Sequence, residues 1–158
     1  MTMTCDICAW TPEPPNFTFV HETALWRVVL PLNQCLLGRC VVHLKRHCGD
    51  LAELRPEELQ DWQRVVNVLE PALRVAFGAT MFNWSCYMNF AYRETPPNPH
   101  IHWWAVPRYR QPITLGGWTF EDPEFGSPYS HTRWMEVPAE ARREIVARVQ
   151  QAIAATGD

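Results

Sequence analysis

Residues 100–108 restrict the fold of this chain more than any other part of its sequence. In this stretch His100, His102 and Trp104 alternate with apolar residues. Alternate side chains of a β-strand project to the same face of a sheet, so these three would stand together on one face. The pattern predicts a strand, with a neighbouring strand at residues 81–89.

Two other kinds of pattern complete the predicted architecture. Short runs of aromatic and β-branched residues predict three strands, at residues 17–21, 26–30 and 39–44. Apolar residues at spacings of three and four predict two helices, at residues 55–78 and 138–155. Because the strands and helices come in this order, we expect an α+β domain with both helices on one face of an antiparallel sheet.

Two segments depart from these regular patterns. Pro71 lies inside the first predicted helix, where a proline predicts a kink or a break. Residues 110–137 are aperiodic and rich in proline, glycine and aromatic side chains, so we expect an extended ordered segment. A chain of 158 residues without a break in composition predicts a single domain, residues 1–158.

Charge and hydropathy exclude several classes of partner. The net charge of −3 argues against an extended nucleic-acid or anionic-membrane surface. The basic runs at residues 45–46 and 108–110 are interpreted as solvated surface with some attraction for phosphate. The longest apolar runs are too short to span a membrane, and the first residues lack the pattern of a secretory signal. We therefore expect a cytoplasmic protein with reduced cysteines and no membrane partner.

The two histidines at residues 100 and 102 carry the strongest chemical signal. Imidazoles two positions apart on a strand can divide a task, one as nucleophile or proton shuttle and the other as metal ligand or orienting group. The alternative is structural, with both histidines satisfied by hydrogen bonds inside an aromatic-rich sheet. The surrounding sequence distinguishes these readings.

Residues 98–109 resemble the signature strand of the histidine triad superfamily, in which histidines alternate with hydrophobic residues and a Pro-Arg pair follows. Four further motifs occur in the family's order: the Cys-x-x-Cys pair at 5 and 8, the Gly, strand and Lys-x-His segment at 38–47, the start of a long helix at 51–59, and Asn89. The resemblance covers roughly residues 5–110. Residues 111–158 are then a C-terminal extension and helix.

The resemblance implies a five-stranded antiparallel sheet with two helices, usually dimerised, with a nucleotide site at the signature strand. It also implies that His102 attacks the α-phosphorus of a nucleotide to form a covalent nucleotidyl-histidine. Asn89 matches the asparagine of the family's phosphate-side loop, so the resemblance implies a catalytic role for it beside His102. A neutral imidazole suits the attacking role when a hydrogen bond to its other nitrogen fixes the tautomer.

The chain departs from the family pattern at three places. Trp104 occupies the position of the third histidine and is a candidate nucleotide contact. Its indole N–H only donates and cannot act as a general acid. Residues 94–98 lack the usual glutamine and serine of the phosphate loop, so Asn98 is the candidate substitute. No ribose-binding aspartate is visible, and Asn33 or Gln34 are candidates for that contact, with simple turn formation as the alternative.

The resemblance also implies a structural zinc site. In zinc-binding members of the family the ligands correspond to Cys5, Cys8, His47 and His100 of this chain, a Cys₂His₂ set that suits tetrahedral zinc. Ligation would also orient the strand that carries His102. His43, like the remaining cysteines, is interpreted as structural; those cysteines are Cys35, Cys40, Cys48 and Cys86.

These features support an enzyme as the first hypothesis. It would be a nucleotide hydrolase or transferase acting through His102 on a nucleoside polyphosphate, dinucleoside polyphosphate or phosphoramidate, as a homodimer. The alternative is a nucleotide-binding or regulatory protein that has lost turnover, for which Trp104 argues. A third hypothesis is a zinc-stabilised module that binds a protein partner through the aromatic residues of 118–134.

Overall fold

A computed structural model describes residues 5–11 and 15–156. Within these residues, five antiparallel strands form the main sheet, in the order β1-β2-β3-β5-β4. The strands are β1 (Phe17–Glu22), β2 (Trp26–Pro31), β3 (Cys40–Leu44), β4 (Met81–Ser85) and β5 (His102–Arg108). The helices are α1 (Pro56–Phe77) and α2 (Ala139–Thr156). The predicted five-stranded α+β fold is confirmed.

The two faces of the sheet have different environments. Apolar side chains of β2, β3 and β5 point to one face, where they form the core together with side chains of α1 and α2. The strands contribute Trp26, Val42 and Ala105, and the helices contribute Leu69 and Ile145. The strand period of two therefore places His43, His102 and Trp104 on the opposite face. Both helices pack on the first face, so the second face carries no helix.

The first helix starts and ends where its sequence indicates. The carboxylate of Glu58 accepts a hydrogen bond from the backbone N–H of Arg55 at 2.9 Å, and Gly78 ends the helix with a φ of 73°. Helix α1 is continuous through Pro71, so the chain has no break there. Proline removes one backbone hydrogen bond, and the burial of Leu69 and Leu73 on either side holds the helix together.

Part of the segment expected to be merely extended folds into a hairpin. Strands β6 (Ile113–Leu115) and β7 (Trp118–Phe120) pair in antiparallel register around Gly116 and Gly117. Their φ angles of 56° and 79° are those of a tight two-residue hairpin turn, which favours glycine at both positions. The Gly-Gly pair was the signal for this hairpin in the sequence.

A buried ion pair fixes the next segment over the second face of the sheet. Arg108 of β5 donates to both carboxylate oxygens of Asp122, at 2.7 and 2.9 Å, and neither side chain is exposed. The guanidinium also donates to the carbonyl oxygens of Glu124 and Ser127 and to Oδ1 of Asn83. The expectation of a solvated surface arginine is therefore wrong for Arg108. No helix among the described residues is long and apolar enough to cross a membrane.

Candidate functional site

Four side chains from three parts of the chain meet at one edge of the second face. Cys5 and Cys8 come from the N-terminal segment, His47 follows β3, and His100 precedes β5. Their ligand atoms all lie within 4.8 Å of one another. The Cys5 Sγ is 3.2 Å from Nδ1 of His100, and the Cys8 Sγ is 3.4 Å from Nδ1 of His47. Two sulfurs and two imidazole nitrogens are a donor set that fits tetrahedral zinc.

His100 is oriented for ligation by a contact on the far side of its ring. Its Nε2 donates to the carbonyl oxygen of Leu44 at 2.7 Å, so the Nδ1 lone pair faces the two sulfurs. Burial lowers the pKa of His100, which favours the neutral, ligating form. Burial and the neighbouring Cys5 raise the pKa of Cys8 to about 11.

The loops that carry His47 and His100 are in close contact. A Cβ at Gly49 would lie 2.9 Å from Cγ of Pro99, closer than real Cβ contacts allow. Only glycine therefore lets the chain after His47 approach the residue before His100. This contact explains how two histidines 53 positions apart reach the same cluster.

His102 begins β5 and lies beside the cluster without belonging to it. Its Nδ1 is 2.9 Å from the carbonyl oxygen of His100. A carbonyl only accepts, so Nδ1 carries the proton and the lone pair of the neutral ring is on Nε2. The side chain of His100 thus lies in the cluster while its backbone orients His102.

A pocket of about 500 Å³ opens beside His102. The N-terminal segment, β1, β2, β3 and β5 contribute its walls, which are mostly apolar with a few polar groups; they include Trp10, Phe17, Val29, Val41, His43, His102 and Trp104. This size and composition are typical of small-molecule sites. This cavity is the first pocket.

His43, which its sequence context predicts to be structural, lines this pocket, and so does Trp10, for which no binding role is predicted. His43 pairs with His102 across β3 and β5, and among the described residues its buried Nε2 has no hydrogen-bond partner. Burial, with a smaller contribution from Arg27, lowers the pKa of His43 to about 3, so its ring is neutral at neutral pH. Trp10 packs 5.8 Å from His43, centroid to centroid. The alternation of Val41 and His43 on one strand was the available signal.

Trp104, the candidate nucleotide contact, lines the first pocket beside His102. The Arg39 guanidinium lies 4.5 Å from the centroid of its ring, a cation–π contact that holds the indole in place. Trp104 therefore provides a fixed aromatic wall next to His102.

The other polar residues proposed for nucleotide contacts lie outside the first pocket. Gln34 is fully buried. Its side-chain nitrogen donates to the carbonyl oxygens of Pro31, Asn33 and Arg39, and its side-chain oxygen accepts from the backbone N–H of Gly38. Asn33 holds the stretch near Met135 through two hydrogen bonds, donating to the carbonyl oxygen of Arg133 and accepting from the backbone N–H of Met135. Its Oδ1 also accepts from the backbone N–H of Cys35. These contacts are of the kind that the turn-forming alternative predicts, and neither side chain lines the first pocket. Asn89 is exposed at the start of a short 3-10 helix, Asn89–Arg93, and Asn98 is half-buried before His100.

Comparisons with known proteins identify the fold. No family model matches the sequence, and no curated protein matches it either. Among solved structures, a Zn-bound histidine triad family protein from Mycobacterium smegmatis is 22% identical, with 97% of this chain and 95% of that one covered and a TM-score of 0.66.

Two further structures extend the comparison. A hypothetical histidine triad nucleotide-binding protein from Sulfolobus tokodaii is 18% identical over 96% of this chain and 93% of that one, at a TM-score of 0.66. A uridylyltransferase is 17% identical over 98% of this chain and 46% of that one, at a TM-score of 0.65. The structural neighbours are histidine triad proteins, and the fold expected from the resemblance is confirmed.

Proposed function

We propose that this chain binds a nucleotide in the first pocket and transfers its nucleotidyl group through a covalent bond to His102. The observation that carries the proposal is the 2.9 Å hydrogen bond from Nδ1 of His102 to the His100 carbonyl. It leaves the Nε2 lone pair as the reactive group of a side chain that lines the pocket. Structural neighbours described as nucleotide-binding and as a uridylyltransferase agree with this class of substrate.

The reaction has two displacements at the same phosphorus. In the first, Nε2 of His102 forms a bond to the α-phosphorus, and the bond from phosphorus to the bridging oxygen breaks with its electron pair leaving on that oxygen. In the second, water attacks the phosphorus and loses a proton to solvent, and the phosphorus–nitrogen bond breaks. The products are a nucleoside monophosphate and free His102. A different acceptor in place of water makes the protein a transferase.

Trp104 restricts the leaving group in this scheme. An indole cannot donate a proton as a general acid at neutral pH, so the leaving oxygen departs without protonation from that position. Phosphate and polyphosphate oxygens leave readily as anions, whereas amines and alkoxides need a proton. The scheme therefore favours nucleoside and dinucleoside polyphosphates over phosphoramidates.

His43 is the second polar group that we assign to nucleotide binding. Its ring is neutral, and its unpartnered Nε2 is available to a ribose hydroxyl or a base edge. The rings of Trp10 and Phe17 provide apolar surface in the same pocket. These residues take the place of Asn33 and Gln34 in the proposed nucleotide contacts.

The second candidate function is nucleotide binding without turnover. Trp104 in place of a titratable residue favours it, since a protein that only binds nucleotide needs no acid at that position. The two candidates differ in one observable, the covalent adduct on His102.

Incubation with a panel of adenosine and guanosine polyphosphates and phosphoramidates, followed by intact-mass measurement, tests the proposal. We expect a mass increase of one nucleotidyl group with at least one polyphosphate, and no such increase in a His102→Gly variant. Absence of adduct and of turnover across the panel, with retained nucleotide binding, would establish the second candidate instead.

We also propose that the cluster of Cys5, Cys8, His47 and His100 holds a structural zinc ion. The donor set and the orientation of His100 support it, as does the similarity to a Zn-bound structure. The ion would attach the N-terminal segment, which includes Trp10 of the first pocket, to the sheet.

Elemental analysis of protein purified without chelator is expected to give about one equivalent of zinc per chain. A Cys8→Ser variant should retain less than roughly a tenth of an equivalent, because a hydroxyl is a poor zinc ligand. Cys86→Ser is the matched control, since Cys86 lies outside the cluster, and it should keep the metal. Equal zinc contents in the two variants would contradict the assignment.

A further inference from the structure

Two arginines pack against the two indole rings that line the first pocket. The Arg39 guanidinium lies 4.5 Å from the centroid of the Trp104 ring, and the Arg27 guanidinium lies 4.7 Å from that of Trp10. Among the described residues that line the pocket itself, none is a lysine or an arginine. A polyphosphate bound there carries several negative charges, so the guanidinium groups packed on its aromatic walls are candidates to compensate them.

The two arginines differ in what already compensates their charge. Arg27 has an acidic partner, because its Nη2 lies 3.2 Å from a carboxylate oxygen of Glu22. Arg39 takes part in none of the ion pairs that the described residues form. Its Nη1 donates to the sulfur of Cys35 at 3.5 Å, and a thiol is a weak acceptor. Its Nε is buried and has no hydrogen-bond partner among the same residues. The described part of the chain therefore leaves the charge of Arg39 uncompensated.

An uncompensated guanidinium is costly at this degree of burial. Arg39 is only 8% exposed, and a buried charge without a partner lowers the stability of a folded protein. The chain avoids this cost at Arg108, whose buried charge is paired with Asp122. A local rule is expected to be broken in this way where a residue serves a ligand. The unpaired groups of Arg39 therefore point to an anion that binds beside them.

The strand register places Arg39 on a particular side of His102. Cys40 points to the core face, so its neighbours Arg39 and Val41 point to the second face. Val41 pairs with Trp104, which follows His102 by two residues on the same face. In the proposed reaction Trp104 holds the position from which the leaving oxygen would receive a proton. The guanidinium packed on that indole therefore lies on the leaving-group side of His102.

We propose that Arg39 supplies the positive charge that stabilises the leaving polyphosphate, acting across the indole of Trp104. This inference rests on the proposed function and assigns the leaving-group end of its site. As Nε2 of His102 bonds to the α-phosphorus, the electron pair of the breaking phosphorus–oxygen bond goes to the bridging oxygen, and no proton is transferred. The departing group gains one negative charge, which the fixed charge of Arg39 stabilises. A permanent cation thus takes over the task of a general acid, which an indole cannot perform.

Equilibrium binding in the non-reactive His102→Gly background tests the charge of Arg39 apart from the reaction. The probes are adenosine and guanosine triphosphate, each compared with its monophosphate by titration calorimetry, and inorganic tripolyphosphate. Arg39→Met should lower the preference for the triphosphate about tenfold, the loss of roughly one partly screened charge interaction, and should weaken tripolyphosphate to a similar extent. Methionine keeps a polarisable apolar group on the Trp104 ring. Arg39→Lys keeps the charge and should retain most of the preference, which a role in packing alone would not produce.

The matched control is Arg27→Met, which removes the other guanidinium packed on an indole of the pocket. Because Glu22 already compensates Arg27, the preference for the triphosphate should change by less than about twofold. Thermal unfolding gives an independent readout for Arg39. Arg39→Met should melt at the same temperature as its parent or at a higher one, since the variant loses an unpaired buried charge.

The leaving group provides a kinetic readout in the protein that retains His102. For the nucleoside triphosphate, kcat/KM should fall about 30-fold in Arg39→Met, somewhat less than the loss of a donor in direct contact with the developing charge. For the 4-nitrophenyl ester of the monophosphate it should fall less than about threefold, because nitrophenolate leaves with a single delocalised charge. A general loss of structure would lower both values equally.

The outcomes separate this inference from the proposed function. Equal triphosphate preferences in the Arg39→Met and Arg27→Met proteins would overturn the inference, and so would a lower melting temperature of Arg39→Met with an unchanged preference. A selective loss in Arg39→Met, together with no nucleotidyl adduct in the reactive protein, would support the anion site and contradict the catalytic proposal. An adduct on His102 with unaltered binding and turnover in Arg39→Met would do the reverse.

Discussion

Replacing His102 with glycine is expected to lower turnover of the best polyphosphate substrate by about 10⁴-fold or more, since no other group can form the covalent intermediate. His102 is the only histidine of the first pocket with its second ring nitrogen tied to a backbone carbonyl, among the residues the structure describes. The measurement is steady-state kcat/KM, together with intact mass after substrate incubation.

The fold should not change in this variant. His102 is only half-buried, and its side chain makes one hydrogen bond to the protein. We therefore expect the same circular dichroism spectrum and the same zinc content as in the original protein. Turnover within tenfold of the original would contradict the role of His102, and so would a nucleotidyl adduct on another residue.

Substituting Asp122 with asparagine should cost about 3–5 kcal/mol of unfolding free energy, because it leaves the Arg108 charge buried without a partner. The asparagine keeps the shape of the site, so the loss reports the missing charge and its hydrogen bonds. For a chain of this length the melting temperature should fall by roughly 10 °C. Chemical denaturation monitored by tryptophan fluorescence measures the free energy.

The matched control is an ion pair of the same kind on the surface. Glu144 and Arg148 lie one helical turn apart, with side chains 41% and 51% exposed. Glu144→Gln should change stability by less than about 1 kcal/mol, because water solvates both partners. Similar losses in the two variants would show that the Arg108 pair contributes no more than a surface pair does.

Patterns of alternation and helical spacing were sufficient to predict the main elements of this fold. The runs that became β1, β2, β3 and β5 and the two helices combine local propensity with burial on one face, so sequence and structure agree there. The metal cluster brings together residues 5, 8, 47 and 100, and no local rule connects them. Only the resemblance to a known family predicted that set.

Long-range partners explain what sequence reasoning missed. Arg108 lies in a basic run that is typical of a surface, and only the approach of Asp122 makes its burial favourable. From the sequence, Gln34 suits either a turn or a ligand contact. In the folded chain its amide donates to the carbonyl oxygens of Pro31 and Arg39, contacts that a turn residue makes. The cavity between β4 and residues 126–131 exists only because those residues fold back beside the strand, a position that their own sequence does not specify.

The double role of His100 determines which variants can separate metal binding from catalysis. Its imidazole belongs to the cluster, while its carbonyl holds the ring of His102, so one backbone position connects the two sites. Altering this side chain perturbs both sites at once, and a loss of activity there has two explanations. His47 contributes a donor nitrogen to the cluster without such a contact to His102. Genetic dissection of the two roles therefore begins at a ligand other than His100, such as His47 or Cys8.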